Sequence, residues 1–221
     1  NVKVHKPLLE LALTRRHTSV ICENATSARI LSCFLPCLIT GEVAEGKMLD
    51  FVLAPNLGSE SELDIAIQNK LVELAKQMKS TVIVSAHLCV NQTDYPPLMR
   101  SPAAVTMETK VARASLEEGR LQLGIWTAAW YRRMEMLGVG GGKPGPPLPT
   151  LPLILTHDHE WSLYFAVDRL DKIGWVRGLC VGARVVCPTY SHLHLEATLK
   201  SIIQGHVCRS PASYNFLPAF V

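Results

Sequence analysis

The apolar run Ala103-Ala104-Val105-Thr106-Met107 ends abruptly in Glu108-Thr109-Lys110, and that junction constrains the fold more than any other stretch. The run reads as a strand. Residues two apart on a strand project to one face, so Glu108 and Lys110 stand side by side there. A second anchor is Asp50, in the strand-like stretch Lys47-Met48-Leu49-Asp50-Phe51-Val52-Leu53. Asp50 and Glu108 are 58 positions apart in sequence. They meet only if the segment between them is an excursion joining neighbouring strands.

Patterning along the rest of the chain supports such an arrangement. Val4, Leu8, Leu9, Leu11 and Ala12 form a helical stripe that ends before Arg15-Arg16. Thr18–Cys22 and Ala28–Leu35 read as strands. Ser59 and Glu62 give a capping-box signal, followed by Leu63, Ile67, Leu71, Leu74 and Met78 at helical spacing. Thr81–Ser85 reads as a short strand and Asn91–Pro102 as a polar loop. Ser115 and Glu118 repeat the capping pattern and open a long helix to about Leu137, with Gly138 as its stop. Beyond a glycine- and proline-rich loop at 140–149, Leu151–Thr156, Trp161–Val167 and Ile173–Val176 read as strands, and a last helix is expected over 190–204. Helices and strands alternate without a regular βαβ rhythm. The expected class is therefore α/β, a mixed sheet flanked by helices. A single domain over 1–221 is expected, with 59–102 inserted between core strands and a flexible loop at 138–150.

Composition narrows the function classes. The chain has 221 residues, 48% hydrophobic and 19% charged, enough for one domain with a sizeable core and too apolar for disorder. A net charge of +3 gives no global cationic footprint, so any nucleic-acid surface has to be local. The seven cysteines, an odd number among apolar neighbours, read as reduced thiols in an intracellular protein, nuclear or cytoplasmic. The sequons Asn24-Ala25-Thr26 and Asn91-Gln92-Thr93 are then chance matches. No apolar stretch reaches membrane-spanning length, and no membrane partner is expected. The chain opens within a predicted helix, as expected of a fragment of something longer.

Asp50, Glu108 and Lys110, followed by Gln122 on a helix, suit the hydrolysis of a phosphodiester. Such a bond resists attack because its charge repels nucleophiles and its leaving oxygen is poor. Mg²⁺ or Mn²⁺ answers both difficulties, using few carboxylates and retaining waters. Asp50 and Glu108 supply the carboxylates, with the Thr109 carbonyl as a further ligand between the same-face side chains. Lys110 would hold and help deprotonate the attacking water, or stabilise the developing charge. Gln122 would orient Lys110 or a water. Trp126 is four residues on, on the same helical face, where it would roof the pocket. Taken singly, each residue also has an ordinary structural role: a turn, an edge-strand charge pair, an exposed helix residue.

Several blocks resemble the fungal PD-(D/E)XK nuclease-like domain. They are Val4–Leu9, Lys47–Phe51, Asn91-Gln92-Thr93-Asp94-Tyr95-Pro96-Pro97-Leu98, Met107-Glu108-Thr109-Lys110, Leu121–Trp126 and His159–Phe165. The resemblance spans roughly residues 1 to 176. It implies a restriction-endonuclease-like core, with Asp50, Glu108 and Lys110 as the catalytic set; the activity expected of such a site is hydrolysis of phosphodiester bonds in DNA. Gln122 and Trp126 resemble the helical Gln-x-x-x-Tyr element of some branches, with Trp in place of Tyr. Glu10 is the available acid on the first helix. Leu49 stands where the proline that names the motif would be.

Other constellations are weaker. His157-Asp158-His159-Glu160 with Cys33 and Cys37 suggests zinc, but a polar turn between strands explains it more simply. Arg132-Arg133 near a helix end suits the helix dipole. Two alternatives to DNA cleavage remain open: the same pocket acting on a small metabolite, and a non-catalytic interaction module.

Overall fold

The computed structural model describes residues 2–14, 20–37, 41–58, 61–77, 88–111, 116–138, 148–157, 160–169 and 173–177. Six strands form one sheet in sequence order: β1 (Val20–Asn24), β2 (Phe51–Pro55), β3 (Val105–Lys110), β4 (Leu151–His157), β5 (Glu160–Asp168) and β6 (Ile173–Arg177). β3 and β4 are parallel and the other neighbouring strands antiparallel. A parallel pair needs a crossover, which the long helix α3 (Leu116–Met136) supplies. Among the described residues the other α-helices are α1 (Val2–Thr14) and α2 (Glu62–Gln77), the latter lying in the excursion between β2 and β3. This is a mixed α/β sheet packed against helices.

Strand alternation divides the sheet into two faces. Leu9 of α1 packs with Phe51 and Met107 on one face, beside Cys22, Ile154 and Trp161. The opposite face carries Val52, Ala54, Leu153, Leu155, Tyr164 and Ala166, which join Leu123, Trp126 and Trp130 of α3 in the main core. Glu108 and Lys110 share that second face, because Glu108 is in register with Leu155 and Lys110 with His157. The α3 helix ends as its sequence implies, with Gly138 at φ +75°.

One local expectation is corrected and others gain detail. Ala28–Leu35 forms no strand; it is a loop with a single bridge, Ile30 to Thr93, and a 3₁₀ turn at Ser32–Phe34. Its apolar residues Ala28, Ile30 and Phe34 are buried because the loop docks on the segment around Gln92, whose carbonyl accepts from the Leu31 N–H at 2.9 Å. The cap of α2 is Ser61, whose hydroxyl accepts from the Asp64 N–H at 3.2 Å. Arg133 lies in the last turn of α3, as expected, and is buried there: it is 0% exposed, stacks 5.3 Å from the Phe34 ring centroid and donates to the Cys89 carbonyl. Arg132 reaches the Leu35 carbonyl at 2.9 Å. The predicted strand at 81–85, the loop at 139–147, the helix at 190–204, the caps at Ser59 and Ser115, and Asp158 with His159 lie outside the described residues.

The loop read as polar is polar in composition yet buried. Asn91, Gln92 and Thr93 are fully enclosed. Asn91 donates to the Leu98 and Ser101 carbonyls at 2.6 and 2.8 Å and accepts from the Ala103 N–H at 2.9 Å. One amide thus closes the loop that feeds β3. An irregular segment cannot satisfy its own buried backbone groups, and Asn91 does this for three of them.

Candidate active site

Asp50 sits one residue before β2, and the antiparallel register of Phe51 with Met107 brings it beside the end of β3. Thr109 holds it there: the Thr109 N–H donates to Asp50 Oδ2 at 2.9 Å, and the Thr109 hydroxyl donates to the same oxygen. Here the structure adds a role that spacing did not reveal. The sequence points to the Thr109 carbonyl as a ligand; the structure shows its N–H and hydroxyl orienting Asp50.

Lys110 lies between β3 and the first turns of α3. Its Nζ is 3.0 Å from Glu108 Oε1, donates to Gln122 Oε1 at 2.5 Å, and is 3.8 Å from Glu118 Oε2. Gln122 and Glu118 are four apart on α3, so they present to the same strand end. Glu118 is 59% exposed and marks the solvent edge of the site. Glu108 is only 4% exposed, and its Oε2 has no hydrogen-bond partner among the described residues. Burial, reinforced by the negative charge of Asp50, pushes the Glu108 carboxyl up to about 7, while Lys110 pulls it back. A carboxylate so destabilised as an anion is primed for a cation.

The residues present fit a divalent cation. Two neighbouring carboxylates, one with a buried oxygen that has no hydrogen-bond partner among the described residues, are oxygen donors of the kind that hold a hard divalent cation. No group of three or more His, Cys, Asp or Glu side chains forms among the described residues, which leaves the zinc reading of His157 and Cys33 without support there. Glu10 is exposed on α1, 3.7 Å from Lys6, and its charge reaches Cys22 on β1. Trp126 is fully buried in the main core, its carbonyl accepting from Gln92 Nε2 at 3.3 Å.

Sequence reasoning also passed over Gly119. It lies in the first turn of α3, where the helix meets Lys110 and Leu155. A glycine near the start of a predicted helix carried no signal that the Lys110 stem would cross it.

The fold and this pairing of strand-end carboxylates with a lysine define a restriction-endonuclease-like core. A family model described as the PD-(D/E)XK nuclease superfamily matches residues 1–194, and the chain belongs to that superfamily. Membership suggests a nuclease-like, metal-dependent phosphodiesterase and implies a phosphodiester or nucleic-acid substrate; the superfamily generally uses divalent metal ions. Neither the curated proteins nor the solved structures compared with the chain gave a significant match.

Proposed function

We propose that this protein hydrolyses phosphodiester bonds in DNA at Asp50, Glu108, Lys110 and Gln122, with Mg²⁺ or Mn²⁺ as cofactor. The observation that carries the reading is Lys110 Nζ bridging Glu108 Oε1 and Gln122 Oε1, while Glu108 Oε2 stays buried with no hydrogen-bond partner among the described residues. The cation, when bound, would neutralise charge on the phosphate and make water more acidic. Asp50, fixed by Thr109, and Glu108 are the side chains that would hold it, with the Thr109 carbonyl as a further ligand. Gln122 and Glu108 fix the Lys110 ammonium where it can orient the attacking water and offset charge building on the phosphoryl oxygens. Water adds to phosphorus as the ester P–O bond breaks, leaving a phosphomonoester and an alcohol.

The Asn91–Tyr95 and Glu108–Lys110 blocks support placement in the fungal branch of the superfamily. Among the described cysteines, Cys22, Cys33 and Cys37 are thiols and not disulfides, which supports an intracellular setting. The deciding experiment incubates wild type and Lys110→Ala with plasmid and single-stranded DNA, with and without Mn²⁺. Metal-dependent cleavage that falls by about 10²–10⁴-fold in the variant is expected. Cleavage that is metal-independent, or that survives loss of Lys110, rules the site out.

A further inference from the structure

Glycine weakens a helix relative to alanine, so a buried glycine in a first turn calls for a local reason. At Gly119 the reason is contact. A Cβ there would lie 2.8 Å from Leu155 Cδ1 and 3.2 Å from both Cγ and Cε of Lys110. Gly124, further along the same helix, shows no such crowding: a Cβ would meet nothing nearer than Trp175 Cζ2 at 3.8 Å. The tight fit is therefore specific to the point where α3 crosses the Lys110 stem. Leu155, the other neighbour, is in register with Glu108 and forms the floor beside it. A methyl group at 119 has two ways to gain space. It can move Leu155 within the core, or it can push the Lys110 stem away from the helix. The second course carries the ammonium off Glu108 and Gln122.

We propose that Gly119 is a positioning residue: by carrying no side chain it lets the Lys110 stem lie against α3, so that one ammonium reaches Glu108 and Gln122 together. The effect on turnover rests on the proposed hydrolase reading, whereas the effect on Lys110 does not. The test compares Leu155→Val with Gly119→Ala/Leu155→Val. Valine lacks the Cδ1 that the added methyl would strike, so the double variant keeps its fold, checked by its thermal midpoint against Leu155→Val. The single Gly119→Ala variant is measured alongside.

The first readout is the Lys110 Nζ–H signal in ¹⁵N-lysine-labelled protein, assigned by its absence in Lys110→Arg. An ammonium held by two acceptors exchanges slowly with water, and this signal should persist in Leu155→Val and vanish or shift in the double variant. The second readout is Mn²⁺-dependent plasmid cleavage, where kcat should fall by about 100-fold with KM changed by less than about twofold. An unaltered Lys110 signal in the double variant overturns the proposal. Wild-type protein that cleaves nothing refutes the hydrolase reading instead, and the Lys110 signal alone then decides the role of Gly119.

Discussion

Replacing Glu108 with Gln in metal-free protein should stabilise the fold at alkaline pH and leave it unchanged in acid. Burial and the Asp50 charge raise the Glu108 carboxyl from 4.5 to about 7. Below 4.5 the group is protonated in both folded and unfolded chains and makes no difference between them. Between 4.5 and about 7 the unfolded chain gives up the proton while the folded site still binds it, so folding stability falls as pH rises. At about 1.4 kcal/mol for each tenfold change in proton affinity, the rise from 4.5 to about 7 corresponds to a full loss of about 3.5 kcal/mol, nearly all of it reached by pH 8. Gln has nearly the same shape, carries no charge, and keeps an oxygen for the Lys110 ammonium. The assay is urea denaturation of wild type and Glu108→Gln from pH 4.5 to 8.5 in chelator. The two stabilities should coincide in acid and separate steadily through neutrality, with the variant the more stable. Subtracting the curves cancels the titrating groups that do not interact with Glu108, leaving Glu108 with its neighbours Asp50 and Lys110. Parallel curves would show that Glu108 ionises in the fold as it does in the unfolded chain, and the account of a desolvated carboxylate would be wrong. The same substitution should abolish cleavage with the fold intact, which separates the site's role from any role in stability.

Thr109→Val removes the hydroxyl that holds Asp50 but keeps the backbone N–H at 2.9 Å. Isothermal titration with Mn²⁺ should show affinity reduced by about 10–100-fold, as for other residues that orient a ligand from behind, with stability little altered. Asn91→Ala strands two carbonyls and one N–H in the loop before β3. At about 1 kcal/mol or more for each buried group left unpaired, unfolding should be easier by about 3 kcal/mol, read from the urea midpoint at constant m-value. A loss below 1 kcal/mol would mean that water replaces the side chain there.

Much of the fold is legible in local pattern because it depends on short-range periodicity. The Ile67–Leu71 stripe of α2, the long α3 with Gly138 at its stop, and strands β3 to β6 follow from which residues alternate and where glycine breaks the pattern. Ala28–Leu35 shows where that logic fails. Buried apolar residues spaced as on a strand serve equally well in a loop that docks on another loop, because burial does not depend on ladder hydrogen bonds. The burial of Arg133 and Asn91 was not legible for a related reason. Their charge and polarity suggest a surface, yet each is enclosed because it supplies hydrogen bonds to backbone that no strand or helix satisfies.

The sequence by itself determined that Glu108 and Lys110 share a face, and that an acid and a helical glutamine were at hand. Those relations are set by the strand and helix periods alone. The tertiary structure decided the rest: that β2 lies antiparallel to β3, so that Asp50 meets Thr109 across a gap of 59 residues; that Glu108 is buried deeply enough to titrate near neutrality; and that α3 approaches closely enough at Gly119 to fix the Lys110 stem. Strand pairing, desolvation and close packing depend on distances through space, which residue order does not encode locally.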